Sequence, residues 1–407
     1  MLGASPSQVV AIKRAKEMGY YVITCDYLEN NPGHQLADEY YNYISTTDKE
    51  AVLALAKTLQ IDGVVCYGTD SAALTVAYVS EKLGFPSFSY NSVEILSNKD
   101  KFRSFLEKNN FNTPKSKGYS TIKEAFADFH SFKMPVMIKP VDSSGSRGVS
   151  MIDSIDFFLE KVEDALCFSR AKRFIIEEYI EKRGYQIGGD CFIVNGKLTF
   201  SRLVNFHFES TSMNPLFPAG ISWPCNCSKS MQEKIHDEIQ RLIDVLDLKT
   251  GALIFEVRVD PNGDIYIIDA GVQNHGIITK ILKHKEGIDL AEYTIKAALG
   301  EDCSDLIMVE PSGYCAHYTI TCENSELVRG IVFDQYFQRN NVVKYDKASL
   351  KFVGNLKSFE IIGTLLLEFP TKMEMLEKMD DMKSWIKVLQ SEDSQSEDSL
   401  IDVSTNS

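Results

Sequence analysis

The stretch "PVMIKPVDSSGSRGVSMI" (residues 135–152) sets two apolar runs around a glycine- and serine-rich turn, with Lys139 at the end of the first run and Arg147 inside the turn. A phosphate loop of the G-x-x-x-x-G-K-[ST] kind passes into a helix. Here apolar "VSMI" continues as a strand, so the segment reads strand, loop, strand. Two readings fit it alone. One is a surface hairpin with a solvated arginine. The other is a flexible cover, in which backbone N–H groups of Ser143, Ser144, Gly145, Ser146 and Gly148 fold over phosphate oxygens while Lys139 and Arg147 supply positive charge.

The segments that follow bear on that choice. "RFIIEEYI" (173–180) is an apolar strand ending in two glutamates, and residues 184–204 form a meander with a tight turn at Asn195 and Gly196. "GALIFEVRVDPNGDIYIIDAGVQNHG" (251–276) holds two strands joined by "PNGD". Strand side chains alternate, so Glu256 and Arg258 share a face and Asp269 comes back near Glu256 across the ladder. Two facing carboxylates repel unless a cation lies between them, and magnesium suits carboxylate and phosphate oxygens. The alternative is a pair of exposed acids at a hairpin end.

Strands and helices alternate through the N-terminal stretch: a helix over 7–18 closed by Gly19, a strand "YYVITCD" (20–26), a helix over 48–59, a strand "IDGVVCY" (61–67) and a helix from Ser71. This order predicts a small doubly wound parallel sheet. "MLGAS" already reads as the turn after a first strand, so most of that strand is expected to be missing and the start to be an internal methionine. "GASPSQ" lacks G-x-G-x-x-G, which argues against a dinucleotide site despite Asp26. Asp70 is read as the cap of the helix it precedes rather than as a contact to a substrate amine.

Composition narrows the function classes. The 407 residues are 44% hydrophobic, enough for two to three domains at roughly 150 residues each. A net charge of −14 with no Lys/Arg cluster argues against nucleic acid as a partner. The nine cysteines are scattered, odd in number and mostly set in apolar runs, which predicts free thiols and a cytoplasmic setting. Cys225 and Cys227 form a C-x-C without the second pair that a zinc site needs. No run approaches the roughly 18 apolar residues of a membrane span, so no membrane partner is expected.

Taken together, Lys101 in "NKDKFRSFLEKNNFNTP" (98–114), Lys139 in "VMIKP", the loop "SSGSRG", "IIEEYI", and the pair Glu256 and Asp269 resemble the ATP-grasp superfamily, which includes carbamoyl-phosphate synthase, biotin carboxylase and D-alanine–D-alanine ligase. The resemblance spans nearly the whole chain. It implies an α/β and α+β protein: an N-terminal doubly wound α/β domain over 1–98, an ATP-grasp fold of two subdomains over 99–300 with its lid at about 115–180, and a C-terminal β-rich subdomain over 301–385. An acidic disordered tail over 386–407 completes this expectation, "SEDSQSEDSL" being polar and serine-rich.

The same resemblance implies roles residue by residue. Lys101 and Lys139 touch nucleotide phosphates and the 143–148 loop closes over them, with Arg147 and Arg258 as further catalytic cations. Glu177, Glu178, Tyr179 and Ile180 form the adenine hinge, and Gln186 occupies a ribose position. Glu256 and Asp269 bind Mg2+, with Asn274 as a further match to the metal motif. The implied reaction joins a carboxylic acid to an amine, with amino acids the usual range, through an acyl phosphate made from ATP; homodimers are common among similar proteins. Gly271 stands where the motif has asparagine and Gln273 where it has arginine. That leaves two alternatives, a nucleotide-binding protein with weakened chemistry and a carboxylase-type relative. Arg258, or less well Arg202, is the expected substitute cation, His275 reads as a tolerated side chain more readily than as a pocket residue, and 206–224 is a long loop shaping the pocket.

Overall fold

A computed structural model describes residues 1–209, 214–274, 276–352 and 359–390. At the N-terminus, α1 (Val9–Glu17) buries Ala11, Ile12 and Ala15 on one face. The strand β1 (Ile23–Cys25) pairs in parallel with β2 (Glu39–Tyr41). Leu2 bridges in parallel to both Cys25 and Cys66, so a narrow parallel strip forms in which residues 61–67 contribute one bridge rather than a full strand. A cavity of about 540 Å³ lies beside it, lined by Leu2, Val22, Val52, Ile61 and Leu299 among others. The helices α2 (Lys49–Leu59), α3 (Ala73–Leu83) and α4 (Tyr90–Ser97) cover the strip. Asp48 caps α2 by accepting the Ala51 N–H at 3.1 Å. Asp70 does not cap α3, whose first turn has no side-chain cap.

The next helix, α5 (Lys99–Lys108), carries Phe102, Arg103 and Leu106 on its buried face. A four-stranded sheet follows, ordered β3, β6, β4, β5, from β3 (Ser116–Tyr119), β4 (Val136–Pro140), β5 (Ser150–Ile152) and β6 (Phe174–Glu178). Packed on it are α6 (Ile122–Asp128) and α7 (Phe158–Phe168), whose Ala125, Phe158, Val162 and Ala165 join Phe174 and Ile176 in one core. β4 and β5 pair antiparallel, so residues 135–152 form a strand, loop and strand.

A larger sheet is built from β7 (Gln186–Val194), β8 (Lys197–Phe208), β9 (Pro218–Trp223), β10 (Gly251–Val259) and β11 (Ile265–Gly271). The helix α8 (Lys229–Val245) buries Ile235, Ile239, Leu242 and Ile243 at helical spacing, in one core with Leu2, Val52 and other residues of the N-terminal elements. The other side is covered by α9 (Gly276–Glu286) and α10 (Leu290–Leu299). The stretch 206–224, expected as one long loop, is mostly the end of β8 and all of β9; 210–213 lie outside the described residues. The two strands pair antiparallel from Asn205 with Ser222 to Phe208 with Pro218, with a bulge between His207 and Phe208.

The chain then adds β12 (Tyr314–Cys322), β13 (Val328–Phe333), α11 (Gln335–Asn341), β14 (Val342–Phe352), β15 (Phe359–Phe369), α12 (Lys372–Asp380) and β16 (Ile386–Gln390). β12 pairs with β9, so β12, β15 and β14 extend the larger sheet to eight antiparallel strands ordered β11, β10, β7, β8, β9, β12, β15, β14. Residues 386–390, expected within a disordered tail, form an antiparallel pair with β13. Residues 391–407 lie outside the described residues. Among the described residues no helix is long and apolar enough to cross a membrane.

Candidate functional site

The site lies where the two sheets and the N-terminal strip with its helices converge, and each wall supplies a distinct chemistry. On the smaller sheet, β4 is buried along its whole length, and Lys139 extends from it to Glu177 on the neighbouring β6, Nζ to Oε2 2.6 Å. Glu177 also meets Arg103 of α5, Nε to Oε1 3.0 Å. Arg103 in turn donates to the Ile267 and Ile268 carbonyls at 3.1 and 2.7 Å, tying the smaller sheet to β11. Burial pushes the Glu177 carboxyl up, but the charges of Arg103 and Lys139 outweigh it and hold the group at about 2. Burial lowers the Lys139 ammonium, only partly offset by Glu177.

The lysine beside the loop is Lys99 rather than Lys101. Lys101 is exposed and pairs with Glu94 at 3.0 Å. Lys99 Nζ donates to the Ser143 carbonyl at 3.1 Å and to Asp269 Oδ2 at 3.4 Å, spanning from the loop to β11. Burial lowers its ammonium, yet Asp269 and Asp70 together raise it above its ordinary value. The reason is helical phase. Lys99, Phe102, Arg103 and Leu106 recur at i, i+3, i+4, i+7, one buried stripe, and Lys101 falls off it. That signal was present in the sequence.

The 143–148 loop bends through Gly145, Ser146 and Gly148 at φ +66°, +56° and +69°. A Cβ at Gly148 would lie 2.8 Å from the Phe168 ring, so space and backbone both require glycine there. Ser146 Oγ donates to the Leu216 carbonyl at 2.9 Å, resting the loop on the segment before β9. Arg147 is exposed and folds back, Nε to the Ser144 carbonyl 3.1 Å, outside the lysine cluster.

On the larger sheet the register sets Glu256 opposite Asp269. Burial first, then the Asp269 charge, pushes the Glu256 carboxyl up to about 7. Gln186 donates to Glu256 Oε2 at 2.6 Å, and Arg258 Nε donates to Gln186 Oε1 at 2.8 Å. Arg258 Nη1 reaches the Ile180 carbonyl at 3.1 Å, and its guanidinium lies over the Tyr179 ring, 4.9 Å from the centroid. Arg258 is therefore committed to the 179–180 segment and does not stand in for the charge absent at Gln273. Arg202 is buried against Glu286 at 2.7 Å and is equally committed. Glu177 and Glu178 end β6, and the Glu178 N–H is spent on the Lys115 carbonyl at 2.9 Å.

Two further positions depart from expectation. Asn274 turns away from Glu256 and Asp269, its Oδ1 accepting from Thr294 on α10, so it is not placed as a metal ligand. Asp70, read as a helix cap, instead accepts a hydrogen bond from Gln273. Burial first, then the Asp269 charge, pushes its carboxyl up to about 6. A Cβ at Gly271 would lie 3.1 Å from Asp70 Oδ1, so the glycine leaves room for that carboxylate. His275 lies outside the described residues. Among the described residues no three His, Cys, Asp or Glu side chains converge as a ready metal cage, so a cation between Glu256 and Asp269 would draw its other ligands from water or substrate oxygens.

A family model for the ATP-grasp domain matches residues 132–280. The chain is 25% identical over 309 residues to a carbamoyl phosphate synthase large chain of Pseudothermotoga lettingae, covering 74% of this chain and 27% of that relative. It thus spans about a quarter of the length of the curated relatives it matches. In fold it is similar to an L-amino acid ligase from Bacillus licheniformis, with a TM-score of 0.75 at 19% identity over 96% of this chain and 97% of that one. It is also similar to the biotin carboxylase domain of a 2-oxoglutarate carboxylase from Hydrogenobacter thermophilus, solved with MgADP, ADP and bicarbonate. There the TM-score is 0.70 at 15% identity over 96% of this chain and 90% of that one.

Proposed function

Starting from a chain that carries an ATP-grasp domain, we propose that it is an ATP-dependent carboxylate–amine ligase, forming an amide-type bond through an acyl phosphate and releasing ADP and phosphate. The observation that carries this reading is Lys99, which joins the 143–148 loop to the Glu256 and Asp269 pair at one point. Lys99 and Lys139 hold the phosphates. Lys139 gives one of its three donors to Glu177 and keeps two for substrate oxygens. The loop closes over the transferred group with its backbone N–H groups, excluding water from an intermediate that hydrolyses readily. Adenine meets the backbone of Glu178 and Ile180, beside the Tyr179 ring, and Gln186 faces the ribose.

Glu256 and Asp269 fit a magnesium ion, because burial and mutual repulsion leave Glu256 short of positive charge. When bound, Mg2+ would neutralise phosphate charge. The chemistry needs little acid–base machinery, since positioning and charge neutralisation carry most of phosphoryl transfer. The test is a coupled ADP-release assay with ATP, magnesium and pairs of acids and amines, run on wild type and Asp269→Asn. Release that needs both an acid and an amine, and that Asp269→Asn abolishes while nucleotide still binds, is the expected result. Undiminished turnover in the variant overturns the assignment.

A further inference from the structure

The C-x-C at residues 225–227 lies outside the cleft, on the turn between β9 and α8. Its two sulfurs are 3.0 Å apart, only about 1 Å more than a disulfide bond. Three elements hold them there. The Cys225 N–H donates to the Leu203 carbonyl of β8 at 3.2 Å, and the Asn226 N–H donates to Asn205 Oδ1 of the same strand at 2.6 Å. Lys372, opening α12, donates to the Cys225 carbonyl at 3.4 Å, and Gln232 of α8 donates to the Cys227 carbonyl at 3.0 Å. Ser228 then caps α8 by accepting the Met231 N–H at 3.2 Å. The approach of the two sulfurs is therefore set by the fold as well as by sequence spacing.

The other thiols lie in different surroundings. Cys25, Cys66, Cys191, Cys303, Cys315 and Cys322 are buried, and burial pushes each above its ordinary value. Cys167 is exposed on α7. The Cys225 thiol moves the other way, because the hydrogen bond from the Cys227 thiol outweighs burial and the Lys372 charge adds to it. Cys227 is half-buried and opens the pair to solvent, whereas Cys225 is buried. An oxidant that reaches Cys225 past its neighbour must be small, as hydrogen peroxide is and a bulky disulfide is not. Independently of the ligase reading above, we propose that Cys225 and Cys227 form a peroxide-reactive dithiol in which Cys225 attacks and Cys227 resolves. The Cys225 thiolate attacks one peroxide oxygen, the O–O bond breaks, and the departing hydroxide takes up a proton and leaves as water. Cys225 then carries a sulfenic acid. Cys227 gives up its proton, its sulfur displaces the hydroxyl from Cys225, and a second water leaves as the S–S bond forms. Two thiols and one peroxide become one disulfide and two waters, the sulfurs losing the two electrons that the peroxide oxygens gain.

The test treats the folded protein with hydrogen peroxide, quenches samples over time with an alkylating agent, and follows each cysteine by peptide mass spectrometry. The peptide carrying both cysteines should lose two hydrogens and both alkylation sites at least about 10-fold faster than Cys167 is oxidised, since the thiolate fraction sets the rate. Dithiothreitol should restore both thiols. In Cys227→Ser the serine hydroxyl still donates to the thiolate, so Cys225 should stop at the product one oxygen heavier. In Cys225→Ser, Cys227 should react no faster than Cys167. Repeated on wild type in urea, where the sulfurs are no longer held together, the advantage over Cys167 should fall to about twofold or less. Oxidation of the pair no faster than that of Cys167, an advantage that survives in urea, or wild-type reactivity of Cys227 in Cys225→Ser each overturns the site. The wild-type comparison with and without urea decides the matter even where a variant fails to fold.

Discussion

Lys99 and Lys101 stand two residues apart, and only one of them enters the site. Sequence alone left them equivalent by type and separated them only by phase. Lys99→Met should weaken ATP binding about 10- to 100-fold, the range for a charge-assisted hydrogen bond, whereas Lys101→Met should change it by no more than about twofold. A fluorescent-nucleotide titration checks both. At Gly148, alanine would meet Phe168 and Pro140 and adopt a left-handed backbone. We expect Gly148→Ala to cost about 1–3 kcal/mol in urea denaturation and to slow turnover, because the loop would no longer seat.

At the scale of elements, the joint between α5, β4, β6 and β11 depends on Glu177, which faces two cations in a buried setting. Removing the anion leaves Arg103 and Lys139 uncompensated, so Glu177→Gln should cost about 3–5 kcal/mol at neutral pH. The pH dependence follows from the direction of the shift. The folded carboxyl titrates near 2, below its ordinary value of 4.5, so the unfolded chain takes up the proton first as the pH falls. The stabilisation is whole above about 4.5 and is lost progressively towards 2. Urea midpoints of wild type and Glu177→Gln should converge across that window and stay apart above it; a constant gap would refute the pairing. The 179–180 segment, proposed above to meet adenine, behaves as an element too, since Arg258 and Gln186 connect it to Glu256. A substitution at Arg258 should therefore raise the Kd for nucleotide without changing which acid is used.

Over the whole molecule, β9 and β12 join the C-terminal strands to the sheet that carries Glu256 and Asp269. A continuous eight-stranded sheet unfolds as a unit more readily than two sheets in contact. Calorimetry should show the C-terminal strands melting together with the larger sheet, and ATP with magnesium should raise that transition as ligand binding to the folded state requires. A separate low-temperature transition indifferent to nucleotide would show that β12 to β16 form an independent unit.

Much of this was legible without coordinates. The hairpin at 135–152, the Glu256 and Asp269 juxtaposition and the alternating N-terminal elements follow from periodicity and turn residues, which are local properties of the chain. The sequence also held the phase that separates Lys99 from Lys101, though only a helical projection brings it out. The partners of Asp70, Arg103 and Glu177 were not legible, because each pairs with a residue more than 70 positions away. Nor was the direction of Asn274 or of Arg258. Neighbouring residues determine strand, turn and helix, but the partner of a buried charge is determined by which distant surfaces pack together, and only the tertiary structure decided that.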